Sequence, residues 1–191
     1  MKLILGSSSI PRQTILKDMG YDFDVVSPDI DEKEIRDIDP NKLVHKIANA
    51  KADFITKKTS EDAVIITADS VVVVNGEIRE KPENKEQASI WLKEMSESVP
   101  SSHFSSVVVT NTKTNKRVYG VEESSVIFSN LPEQEVLEFI ESGEVFKYAG
   151  AYAIEHEPFK SHVKEITGEM ESIIGLPKEL TEKLLKEVGY K

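Results

Sequence analysis

The chain contains no cysteine. That excludes disulfides, thiolate metal sites and a cysteine nucleophile, and it fits a reducing, cytoplasmic setting. Long hydrophobic runs are also missing. No apolar stretch approaches the ~20 residues of a membrane-spanning helix, and the run at residues 2–5 is too short for a secretory signal. Cations are scarce, with 24 Lys and Arg against 34 Asp and Glu and a net charge of −10. A broad nucleic-acid surface carries a basic excess, so neither nucleic acid nor a membrane is an expected partner. A small polyanionic ligand remains open. It would need a few cations gathered in one pocket and a divalent metal to offset the field. The four histidines, His45, His103, His156 and His162, form no compact metal motif and read as surface residues.

With 39% hydrophobic and 30% charged residues the composition is globular, not disordered. A length of 191 residues suits one domain spanning 1–191, with one core or two small lobes. Residues 2–5 read as a buried strand and 11–19 as a helix, with Pro11 at its start and Gly20 past its end. A second strand is expected over 21–26, then an acidic loop over 27–40. Asp39-Pro40 opens a helix to about residue 57, with Leu43, Val44, Ile47, Ala48 and Ile55 on one face. The run "AVIITADSVVVVNGEI" (63–78) is the most strand-like, and Asn75-Gly76 within it signals a hairpin. Helices are expected over 84–97, 132–142 and 178–188, and strands over 103–110 and 117–128. Residues 156–177 carry mixed signals. Alternating strands and helices with central hairpins predict an α/β fold with a mixed, twisted central sheet and flanking helices.

Five places carry candidate chemistry. In "LILGSSSIPRQTIL" (3–16) a strand meets Gly6, Ser7, Ser8 and Ser9, and a helix starts at once. A helix start offers unpartnered N–H groups and partial positive charge. Gly6 lets a ligand approach, the serines donate, and Arg12 can pair with phosphate. A serine-capped helix with a surface arginine would look the same. Asp69 lies inside an apolar strand run, where an unpaired carboxylate is expensive. A metal, a catalytic water or a lysine would supply the reason, and so would a structural pairing. Lys81 follows the hairpin. Lys51 sits at the apolar margin of its helix, aimed into a cleft or snorkelling at the core edge. Glu32 stands on the acidic loop. Taken together these residues suit metal-assisted attack of water on a nucleotide phosphate chain, with Glu32 and Asp69 as metal ligands.

These stretches resemble the Maf family, the septum-formation-inhibitor-like nucleoside triphosphate pyrophosphatases. The resemblance runs nearly end to end: "SSSIPR" (7–12), "DIDE" (29–32), "AKA" (50–52), "ADSVVVVNGEIREKP" (68–82), "SGEVFKYAGAYAIE" (142–155) and "GLP" (175–177). It implies an α/β fold with two lobes around a cleft, similar to inosine-triphosphate pyrophosphatases. It also implies hydrolysis of a nucleoside triphosphate to the monophosphate and pyrophosphate with Mg²⁺ or Mn²⁺, clearance of non-standard nucleotides, and a homodimer. Asp69 then becomes the proton acceptor. Ser7, Ser9, Arg12, Glu32, Lys51 and Lys81 fall on the family's other polar site positions. The chain departs from the pattern at Pro11, where the family has a first arginine, at Ser70 for Thr, at Lys147-Tyr148 for Asp-Lys, and at Glu155 for Gln. Pro11, Ser70 and Glu155 touch base choice. Gln suits the donor and acceptor of uracil, whereas Glu, which only accepts, suits the N1–H and amino group of guanine. A guanine-like or broad base preference is therefore expected. The competing expectations are a nucleotide-binding regulator of cell division with little catalysis, and a phosphohydrolase that releases single phosphates.

Overall fold

A computed structural model describes residues 1–190. Its centre is a seven-stranded mixed sheet of order β2-β1-β3-β5-β6-β7, with β4 also paired to β3. The strands are β1 (Lys2–Gly6), β2 (Asp24–Val25), β3 (Ala63–Val74), β4 (Glu77–Arg79), β5 (Ser101–Asn111), β6 (Lys116–Phe128) and β7 (Val163–Thr167). Helices α1 (Ile10–Asp18), α2 (Pro40–Lys58), α3 (Lys85–Ser96), α4 (Glu133–Glu141), α5 (Met170–Ile174) and α6 (Lys178–Glu187) flank it. The β1 pairings with β2 and β3 are parallel, and all later pairings are antiparallel. This is the mixed α/β architecture that the sequence predicts.

Local rules explain most boundaries. Ser9 caps α1 by accepting from the Arg12 N–H, and Asp39 caps α2 by accepting from the N–H groups of Asn41 and Lys42. Asn75 and Gly76 both take positive φ, as a two-residue hairpin turn requires, and so fold β4 back onto β3. Two hydrophobic clusters lie toward opposite ends of β3. One gathers Leu3, Leu5, Leu16, Val64, Ile66, Leu184 and Leu185. The other gathers Val72, Val74, Trp91, Met95, Phe128, Phe159 and Tyr152.

Four expectations need correction. The strand expected over 21–26 shortens to Asp24–Val25, because Tyr21 and Phe23 pack sideways against the first cluster. Residues 156–177 hold β7 and the short α5, elements too brief for a legible period. The expected acidic loop contains a 3₁₀ turn at Glu32–Glu34, capped by Asp31. A fourth concerns the histidines: His103 is buried and so is not a surface residue, while His45 is half-buried with its Nδ1 enclosed.

The register of β3 positions the site. Gly6 pairs with Thr67 at the end of β1, and Arg79 of β4 pairs with Val72. Residues 68–71 therefore have β5 on one side and no strand on the other. Asp69 and Ser70 occupy this gap and, by strand alternation, face opposite sides of the sheet.

Candidate active site

On one face, α2 lies across β3. Thr67 Oγ1 donates to the Ala48 carbonyl at 2.7 Å, locking helix to strand. Three residues on from Ala48 and two on from Thr67, the periods of helix and strand bring Lys51 to Asp69. Lys51 Nζ lies 2.7 Å from Asp69 Oδ1 and 3.1 Å from Glu32 Oε1. Lys51 and Asp69 are both buried, while the Glu32 side chain is half exposed. The 3₁₀ turn thus delivers Glu32, and β3 delivers Asp69, to the same Lys51 ammonium. Burial pushes the Asp69 carboxyl above its ordinary range, and the Lys51 and Arg12 charges oppose that rise.

The strand-to-helix turn at residues 6–9 forms the adjoining wall. A Cβ on Gly6 would stand 2.3 Å from Ile55 Cδ1 and 2.6 Å from Thr67 Cγ2, so only glycine lets β1 end this close to α2 and β3. Ser7 is buried and its Oγ accepts from the Ser9 N–H at 3.2 Å, while Ser8 is exposed. Ser7, Ser8, Ser9, Pro11, Arg12, Glu32, Lys51, Asp69 and Lys81 all line one cavity of about 480 Å³. The structure therefore brings together every polar residue singled out for phosphate and water chemistry.

Arg12 does more than face this cavity. Its Nε donates to the Gly175 carbonyl at 2.9 Å, Nη1 to the Ala68 carbonyl at 2.9 Å and Nη2 to Ser70 Oγ at 3.2 Å. It covers the carbonyl that β3 leaves unpaired in the gap, and three of its five N–H donors are engaged in holding the floor. Ser70 Oγ continues to Ser105 Oγ at 2.9 Å, and Ser105 donates to the Ser172 carbonyl at 2.8 Å. This polar chain fastens α5 and Gly175, which has φ of +119°, beneath the cleft.

Across the gap, on the other face, lies a smaller cavity of about 130 Å³. Pro11, Ser70 and Glu155 all line it, as do His103, Tyr148 and Tyr152. Pro11, Tyr148, Ala149 and Ile174 border both cavities. The His103 ring bonds to Tyr152 Oη, Tyr152 Oη lies 3.0 Å from Ser101 Oγ, and the ring also bonds to the backbone of Ile173. Burial pushes the imidazole down to about 4, so it is neutral at physiological pH. Reading the sequence for motifs missed His103. The signal was the polar stripe Ser101, His103, Ser105, at a strand period of two on the face of β5 that meets Val74, Val72 and Ser70. Lys147, the cation standing in place of an acidic family position, also borders the larger cavity and pairs with Glu144 at 2.6 Å.

Among the described residues no three His, Asp or Glu side chains cluster to hold a metal on their own. Glu32 and Asp69 converge on one ammonium, and each carboxylate has a second oxygen. Two carboxylates completed by substrate phosphates is a ligand set that Mg²⁺ commonly takes, so the residues fit a metal brought in with a phosphate chain.

A buried acid beside a lysine, a hydroxyl-rich helix start and an annexed side pocket thus meet in one cleft. Residues 2–188 match the family described as Maf-like protein, and the chain belongs to that family. A 7-methyl-GTP pyrophosphatase of Dictyostelium discoideum is 41% identical over 98% of this chain and 97% of its own length. A dTTP/UTP pyrophosphatase of Caldicellulosiruptor saccharolyticus is 33% identical over 99% of this chain and 96% of its own. Among solved structures, a HAM1 protein from Coxiella burnetii aligns over 98% of both chains at 12% identity, with a TM-score of 0.46.

Proposed function

We propose that this Maf-like protein is a nucleoside triphosphate pyrophosphatase, converting a (d)NTP to its monophosphate and pyrophosphate. The observation that carries the reading is the Asp69–Lys51–Glu32 group, set in a cavity with Ser7, Ser8, Ser9, Arg12 and Lys81. A purely binding protein has no need of a buried acid held at the floor of its phosphate cleft. The names of the pyrophosphatase relatives support the same activity.

In this reading the phosphate chain lies in the larger cavity and the base in the smaller one, with the sugar passing between Pro11 and Tyr148. Asp69 accepts a proton from water as the water oxygen bonds to the α-phosphorus. The bond from that phosphorus to the α–β bridging oxygen breaks, and pyrophosphate leaves. The raised Asp69 carboxyl makes it a better base than an exposed aspartate. Lys51 keeps that acid ionised in its buried setting. Lys81 and the remaining donors of Arg12 meet the charge that gathers on the leaving pyrophosphate. The Gly6–Ser9 turn, at a helix N-terminus, holds the terminal phosphates. Glu32 and Asp69 would hold a divalent cation, which when bound supplies charge neutralisation on the phosphates.

The base reading is guanine-like. Glu155 only accepts, matching the N1–H and amino group of guanine, and the 41% identical relative carries a guanine nucleotide in its name. Clearance of non-standard nucleotides follows as the physiological role. The test is product analysis after incubation with Mg²⁺ and a panel of standard and modified triphosphates. Monophosphate with pyrophosphate, fastest for guanine nucleotides, is the expected result. Release of orthophosphate alone, or binding without turnover, would overturn it.

A further inference from the structure

A third cavity, of about 430 Å³, adjoins the phosphate cavity and shares Glu32, Asp69, Lys81 and Ala149 with it. One step of each period leads from the Lys51–Asp69 pair to an apolar bed. Ile47 and Leu43 lie four and eight residues before Lys51 on α2, and Val71 lies two after Asp69 on β3. All three are buried and pack in one cluster. Lys33 and Arg36 line one side and the loop after β4 the other, and Arg36 pairs with Glu80 across them at 3.4 Å. The charge differs from that of the phosphate cavity, where Arg12, Lys51, Lys81 and Lys147 stand against two acids, Glu32 and Asp69. Here Arg36 is spent on Glu80 and Arg79 on Glu94. Beside the shared residues, Lys33 and Glu83 then carry one charge of each sign. An apolar bed with balanced charge gives no advantage to another phosphate. It suits the uncharged body of a nucleoside, and its volume lies within the roughly 300–1,000 Å³ of small-molecule sites.

We infer that the site also takes dinucleoside polyphosphates, with the second nucleoside, carried on the terminal phosphate, seated on Leu43, Ile47 and Val71. The inference rests on the pyrophosphatase reading and adds a substrate class to it. A nucleoside triphosphate has places for its base, sugar and phosphates in the first two cavities. The third opens beside Lys81, where the leaving group gathers its charge. A departing pyrophosphate gains nothing from an apolar bed, whereas a nucleoside attached to it gains burial. The exposed Arg36 supplies a guanidinium plane at the rim, on which the second base stacks. The chemistry is unchanged. The water oxygen bonds to the α-phosphorus of the nucleotide in the base pocket, Asp69 takes the proton, and the bond to the α–β bridging oxygen breaks. With a triphosphate bridge the electron pair of that bond leaves on a nucleoside diphosphate in place of pyrophosphate.

The test gives the protein, with Mg²⁺, GTP and UTP beside diguanosine and diuridine triphosphates bridged 5′ to 5′, so that base preference does not enter the comparison. Chromatography separates the products. Monophosphate plus diphosphate from a bridged compound is expected, with kcat/KM within about tenfold of the matching triphosphate. Leu43→Trp, which fills the bed, should lower kcat/KM for the bridged compound about tenfold or more relative to the triphosphate. Arg36→Ala, at an exposed position, should lower it several-fold, and thermal melts check that each variant is folded. A bridged compound left intact while its triphosphate is cleaved would overturn this inference and leave the pyrophosphatase reading standing. So would a parent-like ratio in every variant that folds. If neither compound is cleaved, the pyrophosphatase reading falls and this inference falls with it.

Discussion

Lys51 Nζ sits 2.7 Å from Asp69 Oδ1, and the two side chains reach each other from different elements at the one place where β3 lacks a strand on its β1 side. A helix period and a strand period meet there, fixed by the Thr67 bond to the Ala48 carbonyl. The pair makes the chemistry of the cleft directly testable.

Asp69→Asn keeps the shape and removes the proton acceptor. Turnover should fall by ~10²–10⁴, the usual contribution of a positioned base. The variant should still fold, because the introduced amide oxygen can still accept from Lys51 Nζ and Glu32 still pairs with that ammonium. Steady-state rates with a thermal melt check both statements, and a variant with parent-like turnover would exclude the base role.

The pH dependence follows from the same carboxyl. Asp69 is raised, so it is protonated at pH values where an ordinary aspartate is ionised. The acid limb of kcat/KM should therefore lie above the usual aspartate range. Lys51→Met takes away an opposing charge, and the limb should move further up. A limb that stays in place in Lys51→Met would mean that another group sets it.

Gly6 tests the geometry of the turn. An added Cβ would collide with Ile55 and Thr67 side chains at 2.3 and 2.6 Å, both in packed positions. Gly6→Ala should cost about 1–3 kcal/mol in stability, the range for forced overpacking. It should also raise KM, since the turn that carries Ser7–Ser9 must shift. Urea unfolding and substrate titration measure the two effects.

His103 should give the fold a pH sensitivity. Its folded value of about 4 lies below the unfolded value near 6.5, so the unfolded chain takes up the proton first. The stability tied to a neutral His103 is complete above the unfolded value and is lost as pH falls from there toward the folded value. The loss is on the order of 3 kcal/mol across that window. His103→Gln should flatten this stretch of the stability profile, whatever it does to absolute stability. Denaturant midpoints measured across the window decide it.

Much was legible before the structure. The alternation of strands and helices, the Asn75-Gly76 hairpin, the caps at Ser9 and Asp39 and the apolar face of α2 are local properties, set by backbone preferences a few residues long. The reactive residue types were legible for the same reason: a carboxylate in "IITADSVVVV" breaks its own pattern, and three hydroxyls at a helix start break theirs. Residues 156–177 stayed unread because β7 and α5 are too short to show a period. The buried His103 stayed unread because its signal runs across a strand face and not along a contiguous motif.

The tertiary structure decided what those residues do to one another. Nothing local states that β1 ends opposite Thr67 and β4 begins opposite Val72, and the gap between them exists only once both pairings form. That gap lets Asp69 open onto the hydroxyl-rich turn on one face while Ser70 opens onto the Glu155 pocket on the other. It also turns Arg12 inward: a side chain read as a phosphate ligand spends three donors on carbonyl and hydroxyl oxygens of the floor. Residue type and local period are written in the order of the chain. The unpaired edge of a strand, and which side chains stand in for the missing neighbour, are set by contacts between segments far apart in it.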